Sequence, residues 1–298
     1  MEIHHFEHGW ITPAVSYTLS VLGSLLGLTC AVRLRSASSA GSRAWWLALS
    51  AVAIGGTGIW TMHFVAMLGF SVVGTPIRYD VALTAASAVL AIAAVGAGLM
   101  IVFGGERARA ARVVAGGVLA GLGVAAMHYM GMYAMHLNGR ISYGSPRVAA
   151  SVAIAVVAAT VALWLTVTVQ KPLAIFGAAL IMGVAVNGMH FTGMSAMTVR
   201  PEPITGVPAG ATATTLLIPI GLAVVFGVLG LVYALMAAPT DEDRAAAAYL
   251  AARLEQGEPA PEPRPVFGGG TSEAHIPQQR GSALGGATWT YRDRSSRQ

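Results

Sequence analysis

Seven apolar runs of about 20 residues or more, near 13–32, 45–72, 81–103, 113–137, 148–169, 172–198 and 213–237, constrain this chain more than any other feature. A bilayer core of roughly 30 Å is crossed by about 20 helical residues. Only a structure that satisfies its own backbone hydrogen bonds can cross it, so each run is predicted to be a membrane helix. Composition agrees: 55% of the residues are apolar and 10% are charged, where a soluble domain carries about one quarter charged.

The runs end at turn residues and charges: Arg33, Arg35 and Arg43; Thr75-Pro76 with Asp80; Gly104-Gly105 to Arg112; Asn138-Gly139 to Pro146; Lys171-Pro172; and Pro201 to Gly210. The connections after runs one, three and five hold Arg33, Arg35, Arg43, Arg107, Arg109, Arg112 and Lys171; the other side holds Arg78, Arg140, Arg147 and Arg200. The more basic side is normally cytoplasmic, which predicts an N-terminus outside and a C-terminus inside the inner (plasma) membrane of the cell.

Three regions follow: an extracytoplasmic segment 1–12, a membrane domain 13–237 and a cytoplasmic tail 238–298. Residues 1–237 carry 11 Lys and Arg against 5 Asp and Glu, whereas 238–298 carry 7 against 8. The basic residues flank apolar runs and do not cluster on a soluble helix, so the lipid bilayer is the expected partner and nucleic acid is not. The start lacks the basic segment and cleavage site of a signal peptide, so the first helix is expected to stay attached. In the tail, an Ala-rich stretch from Asp241 to Leu254 could extend the last helix, and the remainder reads as disordered. The single cysteine, Cys30, excludes an intramolecular disulfide and reads as an inert membrane residue.

The runs contain an internal repeat of two helices. Met62-His63-Phe64-Val65-Ala66-Met67, Met127-His128-Tyr129-Met130-Gly131-Met132 and Met189-His190-Phe191-Thr192-Gly193-Met194 recur in runs two, four and six, their histidines 65 and 62 residues apart. The expected fold is all-α: a seven-helix bundle of three two-helix repeats plus one helix, with the histidines at one depth near the outer ends. At about 100° per residue, Met132 and Met135 fall within about 40° of His128. His190, Met194 and Met197 repeat that stripe; the first copy keeps His63 and Met67 with Phe70 in third place. Gly131, Gly193 and Ala66 beside it allow close helix approach, so the stripe is expected to face the bundle interior.

Methionine fills apolar space and one intramembrane histidine can serve packing alone. Three equivalent copies favour coordination, since nine of the thirteen methionines lie within two turns of these histidines. The candidate metal ligands are His63, His128 and His190, then Met67, Met132 and Met194, with Met62, Met127 and Met189 beside them. Imidazole and thioether without thiolate or carboxylate suit copper, Cu(I) in particular. His4, His5 and His8 could add ligands at the outer mouth, although role-free surface histidines are the commoner case. Phe64, Tyr129 and Phe191 could shield the site, and Tyr129 adds a polar group.

The motif triplet, its two-helix spacing and the seven-span layout resemble the MHYT family of bacterial integral membrane sensors over about residues 10–237. Met127-His128-Tyr129 carries the name-giving residues with Met130 in place of Thr; the other two copies are near-variants. The resemblance implies a sensor of oxygen, carbon monoxide, nitric oxide or redox state working through one or two copper ions near the outer surface. Members are often fused to cyclic-dinucleotide or histidine kinase domains. With no such motif here, the chain resembles a stand-alone version that is not an enzyme and signals through a separate output protein; a homo-oligomer is left open.

Competing functions thin out on chemistry. Retinal needs a lysine within a span, and Lys171, the sole lysine, is in a loop. Ion-coupled transport favours mid-membrane carboxylates, but Asp80, Glu106 and Glu202 lie in loops. No nucleophile and base, carboxylate pair or zinc-protease motif appears. Copper handling or transport along the methionines, and haem held by His and Met, stay as alternatives.

Overall fold

A computed structural model describes residues 3–4, 9–201, 206–239 and 241–255. Among the described residues are seven helices long and apolar enough to span a membrane: Ile11–Ser36, Ala40–Met67, Val81–Phe103, Arg109–Tyr133, Ser145–Thr168, Pro172–Ser195 and Ala213–Met236. They are called the first to seventh spans. The chain is a multi-pass, all-α membrane protein.

Each span of the first six packs on the next, and the sixth returns to the first, closing a six-membered ring. The seventh lies outside the ring against the first two spans, and only 11% of its most apolar window is buried. Local chemistry sets the helix starts. Asp80 Oδ1 accepts from Leu83 N at 2.9 Å, Thr212 caps the seventh span through Thr215 N, and proline opens the fifth and sixth spans, where no N–H is required.

After the second, fourth and sixth spans the chain turns into short antiparallel strands. β1 (Ile3–His4) pairs with β2 (Ser71–Val72), β3 (Arg78–Tyr79) with β4 (Met135–His136), and β5 (Gly139–Tyr143) with β6 (Met197–Pro201). All three pairs therefore lie at one end of the bundle, here the motif side. The expected runs 45–72, 113–137 and 172–198 overshoot for this reason: the helices stop at Met67, Tyr133 and Ser195, and the apolar residues beyond enter turns and strands. Phe70, Met135 and Met197 consequently do not continue a helical stripe. They are nevertheless buried in one cluster with Met67, Met132 and Met194.

The second span is not uniformly α-helical. Val52–Thr61 forms a π-helix between Ala40–Ala51 and Met62–Met67, and Thr61 Oγ1 donates to Gly56 O, five residues back, at 3.0 Å. Glycine permits this wide segment to touch both neighbours: a Cβ on Gly55 would lie 2.8 Å from Ala91 O, and one on Gly23 would overlap Gly58 backbone. Trp60 Nε1 adds a 3.0 Å bond to Ser87 Oγ of the third span.

Residues from Pro239 onward form a separate unit. Within it Asp241–Glu255 is helical. The seventh span ends at Met236, ahead of Pro239, which has no N–H to continue it, so the Ala-rich stretch is a helix of its own and not an extension. The tail expected to be disordered beyond Glu255 lies outside the described residues.

Candidate metal centre

Because each motif ends an even-numbered span, the ring brings His63, His128 and His190 together at the motif side. The side chains are 3%, 1% and 1% exposed. His63 Nδ1 lies 3.0 Å from His190 Nδ1 and 3.1 Å from His128 Nδ1. The ring centroids are 4.9, 5.0 and 5.2 Å apart with interplanar angles of 75°, 75° and 87°, a near-threefold propeller.

The small residue three positions after each histidine explains how the rings are seated. A Cβ on Gly131 would collide with His63 Nε2, and one on Gly193 with His128 Nε2. The second copy thus backs the ring of the first, and the third backs that of the second, turning each Nδ1 inward. The matching position in the first copy is Ala66, also buried. Sequence reasoning assigned these residues to helix approach in general; the structure makes two of them the floors beneath particular imidazoles.

Three neutral imidazoles do not fully satisfy one another in this arrangement. An imidazole Nδ1 presents either one proton or one lone pair in the ring plane. His63 Nδ1 can therefore satisfy one of its two neighbours fully, not both. His128 Nε2 is buried with no hydrogen-bond partner. All three histidines offer a ligand atom within 4.8 Å of one another. Two nitrogens 2.0–2.1 Å from one ion and 3.0–3.1 Å apart subtend about 95–100°, a spacing that ligands of one ion adopt.

The methionines divide into two groups. Met67, Met132 and Met194 are buried on the motif side with Phe64, Phe70, Met135 and Met197. Met127 and Met189 belong to the core nearer the middle of the bundle, and Met62 is buried, 1% exposed. His128 and His190 pack edge-on against Tyr129 and Phe191, with centroids 4.9 and 5.0 Å apart. Tyr129 OH reaches Ser151 Oγ of the fifth span at 2.6 Å, so its polar group ties helices together and points to no ligand. Tyr79 of β3 sits 5.9 Å from Phe64, and burial holds its phenol well above the ordinary tyrosine range. His5 and His8 lie outside the described residues; of His4 only the backbone is described, opposite Ser71.

Asn187 is the neighbour that sequence reasoning missed. One turn before His190, it lies 3.0 Å through Oδ1 from Ser16 Oγ and donates through Nδ2 to Gly183 O at 2.8 Å, fixing the sixth span to the first. The signal was a buried amide in an otherwise apolar run.

Fold and centre together define a class: multi-pass membrane proteins in which three two-helix repeats close around a buried histidine triad. The family model described as a bacterial signalling protein N-terminal repeat, MHYT, matches residues 56–116, 121–179 and 183–250. Those segments cover more than half of the chain, and each begins seven residues ahead of a motif histidine. The chain belongs to the MHYT family of bacterial signalling proteins.

It is similar to the bifunctional diguanylate cyclase/cyclic di-GMP phosphodiesterase MucR of Pseudomonas aeruginosa, 38% identical over 195 residues, 64% of this chain and 28% of that protein. The cyclic di-GMP phosphodiesterase NbdA of the same organism is 35% identical over 164 residues, 52% of this chain and 20% of its own. Signaling protein YkoW of Bacillus subtilis is 28% identical over 210 residues, 68% of this chain and 25% of its own. The chain thus spans a fifth to just over a quarter of these relatives. No solved structure matches it.

Proposed function

We propose that this chain is a copper-containing sensor module: His63, His128 and His190 hold a copper ion at the motif side, with Met67, Met132 and Met194 as the nearest thioether candidates. The convergence of three buried Nδ1 atoms from equivalent repeats carries the reading. Neutral nitrogen and sulfur donors with no carboxylate among them favour a soft monovalent ion, because a divalent one would leave two uncompensated charges in a low-dielectric bundle. Bound copper would supply redox change and affinity for diatomic gases such as oxygen, CO or NO. The chain's own residues exclude water and fix the imidazoles, through the glycine floors and the aromatic neighbours.

The three rings rest on one another, which leaves no slot between them for a macrocycle and weighs against haem. A diatomic gas or redox state is the proposed stimulus, and a separate output protein the proposed receiver; copper delivery is the alternative. The arginine bias supports a motif side facing outward across the inner membrane, with the C-terminus cytoplasmic. Metal analysis of the purified chain tests the centre. Copper should co-purify and fall to background in a folded His63→Ala, His128→Ala, His190→Ala variant. Full stoichiometry in that variant would refute the assignment.

A further inference from the structure

Beneath the triad, towards the middle of the bundle, lies an apolar cavity of about 40 Å³. Its wall includes Ile59, Val124 and Val186, each four residues before a motif histidine and so one helical turn from it. Most of its remaining wall comes from the fifth and sixth spans, so it lies on that side of the bundle, one turn below the triad. Met189, next to His190, closes it on one side, and Ser24 is its single polar residue. On the measure by which one water needs about 10–15 Å³, it has room for a diatomic-sized solute; a water there would lack the two to four polar partners that hold one.

On its lipid side the cavity adjoins a second apolar space. A groove of about 380 Å³ between the fifth and sixth spans is lined by apolar residues alone, and it shares Ala158, Met182 and Ala185 with the cavity wall. Alanine at two of these three positions keeps the partition between groove and cavity thin. Lipid-facing Val157 and Ile181, 63% and 59% exposed, form the groove's outer rim.

We infer that this cavity is a binding site for one small uncharged apolar solute of diatomic size, which reaches it from the bilayer core between the fifth and sixth spans and not from water. A solute concentrated in hydrocarbon meets an apolar groove at its own depth, passes a wall of alanines and stops one turn below the histidines. Its meaning as a signal rests on the sensor reading; its occupancy does not.

The test uses the full chain in lipid nanodiscs, metal-free and copper-loaded, with xenon as the probe and NMR of the exchanging gas as the readout. The wild type should show saturable xenon binding in both forms. Ala158→Phe, which fills the shared wall, should abolish it, whereas lipid-facing Val89→Phe in the third span should leave it unchanged. Should Ala158→Phe fail to fold, Ala162→Leu, one turn further along the same wall, narrows the cavity and should cause the same loss. Non-saturable xenon in the wild type, undiminished binding in a folded filled variant, or a retained acyl chain that xenon cannot displace would overturn the site. Xenon without copper would remove the sensor reading and leave the cavity; copper without xenon would do the reverse.

Discussion

Gly193→Ala is the sharpest probe of how the centre is held. The added Cβ would lie 2.9 Å from His128 Cδ2 and 3.2 Å from Cε1, besides colliding with Nε2. Non-bonded contacts settle near 3.5–4.0 Å, so with Nε2 the nearest atom the imidazole must withdraw by about 1 Å or more. It has nowhere to go, because its Nδ1 already lies 3.1 Å from His63 Nδ1. Metal bonds tolerate about 0.2 Å, so one ligand is lost or misaimed. Copper affinity should fall about 10–100-fold, the range seen when groups orienting a ligating histidine are changed. Stability should move less. Alanine gains about 1 kcal/mol in helix propensity, set against about 1–3 kcal/mol of overpacking. Gly188→Ala is the control: it lies in the same span, its Cβ would meet nothing within 4 Å, and it should raise the melting temperature without altering copper. Competition titration against a Cu(I) chelator, with thermal unfolding alongside, reads both quantities. Unchanged affinity in Gly193→Ala, or equal losses in the two variants, would refute the idea that glycine seats the ligand.

Topology is open to reporter fusions: a periplasm-active reporter should work at Asn138 and fail at Arg109, and the opposite pattern would invert the orientation. Deleting residues 256–298 should leave membrane insertion and copper content unchanged, since the apolar spans end at Met236; lost metal in the truncated chain would contradict that separation.

The seven spans and the meeting of the histidines were legible in the sequence because both follow from simple periods: about 20 apolar residues per crossing and about 63 per repeat. Helix ends were less legible. Leu68, Phe70 and Val72 continue the apolar signal of the second span into a turn and strand that are buried against Met135 and Met197, and hydropathy does not distinguish burial in protein from burial in lipid. The π-helix was hidden for a related reason. In Val52–Thr61 seven of the ten residues are buried, so no polar face exists whose spacing would betray a changed period.

The loop arginines illustrate a different limit. Read only as an orientation signal, they also bind main chain: Arg112 Nη1 donates to Ile101 O at 2.9 Å, Arg43 Nη2 to Phe103 O at 3.3 Å, and Arg35 Nη2 to Val169 O. Each meets a carbonyl at or just past the C-terminal end of a span, where the helix leaves acceptors unsatisfied and its dipole favours a cation. Charge counting can place these residues on one side of a bilayer, but the partner of each comes from the tertiary fold.

Three covalently joined repeats give this centre a freedom that a trimer of identical chains lacks. In such a trimer any change at a ring floor is made three times over; here it is made once. The first copy already differs, with Ala66 where the others have Gly131 and Gly193, at the position that the cyclic order assigns to His190. By that order one imidazole of the three meets a different floor residue from its companions. Inheritance of the three copies as one gene product lets mutation adjust a single ligand by small steps, while the other two keep the site assembled.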